Sequence, residues 1–171
     1  MDAARRKMLY DGLIAGLIGY FAVAFFFAVW NLAGGQSLLR TPALLGEAVF
    51  AGLRDPESVT MDPGAIFAFN GVHLVAFLGF GYFAAWLVHE TELHPEFWYL
   101  AFFLFLAATV MSYAAVLALT VVVGSVLSAW LVVVSSLVGA AAMAVFFAGS
   151  HRQLVRSIRG SDRTRALGSL D

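Results

Sequence analysis

From Phe97 to Ser150 the chain carries no Asp, Glu, Lys, Arg or His. The hydrocarbon core of a bilayer is about 30 Å thick and a helix rises about 1.5 Å per residue, so about 20 residues cross it. The uncharged run is too long for one crossing and reads as two. Its natural reversal is Val123-Gly124-Ser125, where glycine and serine allow a tight turn. The run marks an integral membrane protein, and composition agrees. The chain is 61% hydrophobic and 12% charged, whereas about a quarter of a soluble domain is charged.

Two further stretches have the length and polarity of spans. The first, residues 9–33, follows the basic cluster Arg5-Arg6-Lys7. A signal peptide also begins with positive charge, but its apolar region is only about 7 to 15 residues, and this one continues through Phe25-Phe26-Phe27 to Trp30. It reads as a retained span. The second, residues 65–88, is introduced by Asp62-Pro63-Gly64, with Asp62 placed to cap a helix and Pro63 in its first turn. The uncharged run supplies residues 97–122 and 126–149. The expected fold is therefore all-α, a four-transmembrane-helix bundle forming a single membrane domain over 1–171.

Lys and Arg set the expected orientation. Arg5, Arg6 and Lys7 precede the first span, and Arg152, Arg156, Arg159, Arg163 and Arg165 follow the last. The positive-inside rule then places both termini in the cytoplasm and the connection 34–64 outside. Tyr10, Trp86, Trp98 and Tyr99 are expected as inner aromatic anchors, and Trp30 and Trp130 as outer ones. Within the outer connection, Thr41-Pro42 followed by residues 43–54 predicts a short capped helix. Its apolar face is Leu45, Ala48, Val49, Gly52 and Leu53, opposite Glu47, Ala51 and Arg54. Too short to cross, it is expected to lie in the outer interface against the spans. The tail 150–171 is basic, and anionic lipid attracts such a segment.

Function classes narrow by exclusion. Basic residues sit at the two ends and form no stripe for nucleic acid. Cysteine is absent, which removes disulfides, thiolate metal sites and a Cys nucleophile. All four prolines lie outside the spans, and unbroken helices weigh against a carrier built on discontinuous spans. Gly12, Gly16 and Gly19 in the first span, and Ser136, Ala140, Ala144 and Ala148 in the last, have the spacing of packing seams or self-association faces.

Inside the spans, His73 is the ionisable residue that stands out, about 12 Å from the outer surface by helical rise. Asn70 precedes it on the same face, and Thr109, Ser112, Tyr113, Ser135 and Ser136 reach a similar depth. Together they predict a buried polar layer, because polar groups at membrane depth turn to the bundle interior. One reading makes His73 a hydrogen-bonded fastener between spans. The other makes it a cofactor ligand with Asn70 and Tyr113, to haem or a quinone. Paired histidines across helices, which a dihaem protein needs, are absent. The segment His89–Glu96 is rich in ligand types but lacks the HExxH spacing of a zinc helix, so it is expected as a solvated turn with no metal. No nucleophile triad or phosphate cradle is present, and the chain is not expected to be an enzyme. The expected role is a non-catalytic accessory or assembly subunit of a larger membrane complex, with bioenergetic complexes foremost. Its partners are then the lipid bilayer and other membrane subunits, or a second copy of itself. A cofactor protein using His73 and a small channel or carrier are the rivals.

Overall fold

The computed structural model describes residues 3–53, 55–94, 99 and 128–151. These residues are all-helical, without strands. Helix α1 runs Ala3–Ala33, α2 Arg40–Phe50, α3 Pro63–Leu93 and α4 Ala129–Ser150, with a 3-10 turn at Pro56–Ser58. Three of them, α1, α3 and α4, are long and apolar enough to cross a membrane. Apart from Tyr99, the span expected at 97–122, the reversal at 123–125 and the tail from residue 152 lie outside the described residues.

Helices α1 and α3 extend beyond the residues expected to cross the membrane. Each helix has 31 residues, about 46 Å at the usual helical rise. Helix α1 starts well before residue 9, and α3 continues past residue 88 through His89-Glu90-Thr91-Glu92. That stretch is therefore helix and not an open turn. Its polar residues prolong the helix because Glu92 finds a partner across the bundle and the Thr91 hydroxyl donates to the Leu87 carbonyl at 2.8 Å. The other end of α3 starts as its residues predict. The Asp62 carboxylate accepts from the Gly64 and Ala65 amides at 3.1 and 3.0 Å, with Pro63 in the first turn.

Helix α1 is the hub, packing on both α3 and α4. Its buried positions, Asp11, Gly12, Ala15, Gly16, Gly19, Val23 and Asn31, form a stripe of mostly small residues. The glycines are required by what faces them. A Cβ at Gly16 would come within 2.8 Å of both the Leu78 Cα and the Phe77 carbonyl oxygen, and one at Gly19 within 2.8 Å of the Phe77 ring. Across the crossing, a Cβ at Gly81 would be driven into the Gly12 carbonyl and the Gly16 backbone. Without a hydrophobic driving force between helices in lipid, this close backbone approach is where packing energy comes from. The glycine stripe of α1 is thus occupied within the chain.

On α4 the packed face differs from the expected seam. Leu131, Ser135, Gly139, Met143 and Phe147 are buried, and the stripe continues into His151. Ser136, Ala144 and Ala148 are exposed. Small size alone did not select the contact face, because α1 already presents glycines and receives the larger Met143 against Gly19. Trp30 and Trp130 meet edge to face with centroids 5.1 Å apart, so α1 and α4 run antiparallel with this tryptophan pair at one end.

Helix α2 exists between the first two long helices, but its buried face is not the one its apolar residues suggest. Thr41, Ala43, Leu44, Gly46, Glu47 and Ala48 are buried, while Val49 and Phe50 are exposed. Gly46 lies directly on the Ala65 backbone. The helix also stops short of Leu53, because Gly52 takes a φ of 71°, a left-handed conformation that glycine adopts at no steric cost. The Leu53 amide then donates back to the Glu47 carbonyl at 3.2 Å.

The crossing of α1 and α3 gives a direct test. Gly81→Ala should destabilise the protein by about 1–3 kcal/mol through overpacking. Gly71→Ala, on the same helix with nothing within 4 Å, should change stability by less than about 0.5 kcal/mol. Thermal unfolding in detergent compares the two, and equal midpoints would disprove the backbone-contact account.

Candidate functional site

Two polar regions stand out along the bundle. The first surrounds His73. The antiparallel α1 and α3 bring Tyr20 beside Asn70, and the tyrosine hydroxyl donates to the Asn70 Oδ1 at 3.0 Å while Asn70 Nδ2 donates to the Ile66 carbonyl at 2.8 Å. Asn70 is thereby fully engaged between its own helix and α1. The imidazole of His73 sits among rings: Phe69 stacked at 5.4 Å, Phe77 edge-on at 4.9 Å and Tyr20 tilted at 5.9 Å.

Ser135 and Ser136 do not reach this group. Both donate to the Val132 carbonyl one turn earlier in α4, at 3.0 and 2.8 Å, the local bond that serine hydroxyls make readily in helices. Thr109, Ser112 and Tyr113 lie outside the described residues. Among the described residues, then, the polar group at this depth is Tyr20, Asn70 and His73. Tyr20 was not singled out from sequence, although it sits one residue past Gly19 on the packing stripe and offered that signal.

The second region is at the end of the bundle where α1 begins and α3 and α4 end. His151, the residue closing α4, is 8% exposed and Asp11 is 7% exposed. The His151 Nε2 lies 3.2 Å from the Asp11 carboxylate of α1, and its Nδ1 lies 2.5 Å from the Glu92 carboxylate of α3. Lys7, one turn before Asp11, places its ammonium 3.3 Å from the Asp11 oxygen and 3.3 Å from His151 Nε2. One imidazole thus ties three helices through two carboxylates on opposite sides of its ring. Because the two carboxylates lie on opposite sides of the ring, the three side chains do not converge on one point as metal ligands must, and among the described residues no group of three such side chains is placed to hold a metal ion. Sequence reasoning missed this group because its members are far apart in the chain. The i, i+4 pair Lys7 and Asp11, and the position of His151 one turn beyond Phe147 on the buried stripe, were the available signals.

The opposite end is held by neutral and half-buried bonds. Asn31 accepts from the Thr41 hydroxyl at 3.0 Å and donates to the Leu38 carbonyl at 3.3 Å. Glu47 accepts the Thr60 hydroxyl at 2.6 Å and the Thr60 amide at 3.0 and 3.2 Å. A carboxylate given those donors can be buried, which is why Glu47 faces inward on α2 against the sequence expectation. Among the described residues no buried side-chain nitrogen or oxygen lacks a partner. Comparison with protein families, with curated proteins and with solved structures finds no match to this chain.

The Tyr20 to Asn70 bond is measurable. A double-mutant cycle of Tyr20→Phe and Asn70→Val should return a coupling of about 0.6 kcal/mol, the typical worth of an interhelical hydrogen bond in membrane proteins. Additive single effects would remove the bond from the account of helix pairing.

Proposed function

We propose that the chain crosses the cell membrane four times with both ends in the cytoplasm, and that it serves as a non-catalytic accessory or assembly subunit of a larger membrane complex, bioenergetic complexes foremost. The topology draws support from the helix ends. Helix α3 finishes at the His151 end of the bundle, where Glu92 meets His151, whereas α4 starts at the far end beside Trp30. A chain that leaves by one end and re-enters by the other needs a further crossing, which residues 97–122 supply in this reading. The basic residues at both termini then fall on one side, as the positive-inside rule favours. Helix α2 and residues 34–62 occupy the outer face.

The observation that carries the functional reading is the division of labour between polar and apolar groups. Asp11, Asn31, Thr41, Glu47, Thr91, Ser135 and His151, the buried polar residues among those described, are all bonded within the chain. Large apolar side chains point outward instead, with Phe21 62%, Phe25 72% and Phe67 82% exposed. Such a surface suits lipid and the helices of neighbouring subunits. A second reading, His73 with Asn70 and Tyr113 as a haem or quinone site, draws on the rings of Tyr20, Phe69 and Phe77 around the imidazole.

The natural absence of cysteine makes the topology testable with single labels. Ser37→Cys and Ser128→Cys should react with an impermeant maleimide in intact cells, and Leu93→Cys only after permeabilisation. Reaction of Leu93→Cys and Ser128→Cys from the same side would overturn the four-crossing arrangement. For the function, native mass spectrometry of the protein drawn from its own membrane in mild detergent should show further subunits in fixed ratio. A lone chain carrying a haem or quinone mass would replace the accessory reading with the His73 one, and a lone bare chain would overturn both.

A further inference from the structure

The group at the end of α4 is wired for two protonation states of one ring. Each nitrogen of His151 faces a carboxylate, Nδ1 the Glu92 oxygen at 2.5 Å and Nε2 the Asp11 oxygen at 3.2 Å. A carboxylate only accepts, so both contacts are hydrogen bonds only when the ring carries both protons. Yet Nε2 also lies 3.3 Å from the Lys7 ammonium, which only donates. That contact is a hydrogen bond only when Nε2 holds a lone pair. The geometry thus provides a partner for Nε2 in either state, and in both states Nδ1–H stays on Glu92.

We propose that Lys7, Asp11, Glu92 and His151 form a proton-binding site that takes up and releases one proton at His151 Nε2. On uptake, a proton from water adds to the Nε2 lone pair, and Nε2–H donates to Asp11 while Lys7 keeps only its bond to Asp11. On release, the proton returns to water and Nε2 accepts from Lys7. Charge balances the two arrangements differently. With the proton bound, two cations face two carboxylates. With it released, Lys7 alone offsets Asp11 and Glu92.

Among the described residues the charged groups facing the ring are Lys7 and Asp11 from α1 and Glu92 from α3, and from α4 itself the neighbour is the Phe147 ring at 6.1 Å. The imidazole is buried, but the Lys7 side chain is 56% exposed and the Glu92 side chain 35% exposed, so both flanking groups touch the aqueous phase. Histidine is the side chain that ordinarily changes charge between about pH 5 and 8. Asp11 and Glu92 can only accept from the ring and Lys7 can only donate to it. The tie between α1 and α4 through Asp11 is therefore complete with the proton bound and lost on its release. The site makes the junction of the three helices respond to the proton concentration at that end of the membrane.

The test is nitrogen-15 NMR of the full chain, labelled at histidine, in lipid nanodiscs, with His151→Gln used to assign the His151 signals among the four histidines. Between about pH 8 and about pH 5.5, Nε2 should move from a lone-pair shift to an N–H shift while Nδ1 remains N–H throughout. Lys7→Gln should hold the proton to higher pH, and Asp11→Asn should release it at lower pH. These opposite displacements at one nitrogen are not expected of a merely structural contact. If one variant fails to fold, the other still decides. An Nε2 that keeps one state across this range, a neutral ring with its proton on Nε2, or a transition that neither variant moves would overturn the proposal.

Discussion

Everything in this bundle depends on how closely the backbones of α1 and α3 approach at Gly12, Gly16 and Gly81. In lipid there is no gain from hiding one apolar side chain against another, so helices associate where atoms meet closely and polar groups find partners. A side chain at Gly81 would collide with the Gly12 carbonyl and the Gly16 backbone, so the glycines permit the approach. The same crossing sets the register of the pair. Tyr20 comes to Asn70 on one side of it, and Asp11 and Glu92 come to a common imidazole on the other. Helix α4 then packs on the remaining face of α1, with Met143 filling the space beside Gly19.

The distribution of polar groups follows from the cost of leaving one unsatisfied away from water. Neutral groups, Tyr20 with Asn70 and Asn31 with Thr41, serve along and near one end of the bundle. The linked group Lys7, Asp11, Glu92 and His151 lies at the other end, where Lys7 and Glu92 retain contact with solvent, while at the first end the buried Glu47 carboxylate is held by Thr60. Pairing alone would not make a buried charge favourable. Here the buried members, Asp11 and His151, each have a partner that is still partly hydrated. That arrangement lets a charged junction exist at the edge of an apolar core and leaves its proton content open to the aqueous phase.

Particular residues show why some of this was legible from the chain and some was not. The Asp62 cap and Pro63 were readable because capping is local: the acceptor and its donors lie within three residues. The glycine stripe of α1 was readable from its spacing, though its partner was not. The buried face of α2 was misread because hydrophobicity assigned Glu47 outward, and only the position of Thr60 makes an inward carboxylate stable. On α4 small-residue spacing did not pick out the face that packs on α1, since the partner surface decides which shape fits. At the candidate site, His73 and Asn70 were evident from depth and polarity, whereas Tyr20 and His151 required knowledge of which helix lies alongside.

By itself the sequence determined helices long and apolar enough to cross a membrane, because in a bilayer long apolar runs without charge have no other stable form than helices that satisfy their own backbones. It also determined the Asp62 cap and Pro63 start of α3, because these are contacts between near neighbours in the chain. Only the tertiary structure decided which faces meet and which distant side chains share a site. Asp11, Glu92 and His151 come together because an antiparallel packing of helices, fixed by a few glycine contacts, converts sequence separation into proximity. No periodicity within one helix carries that information.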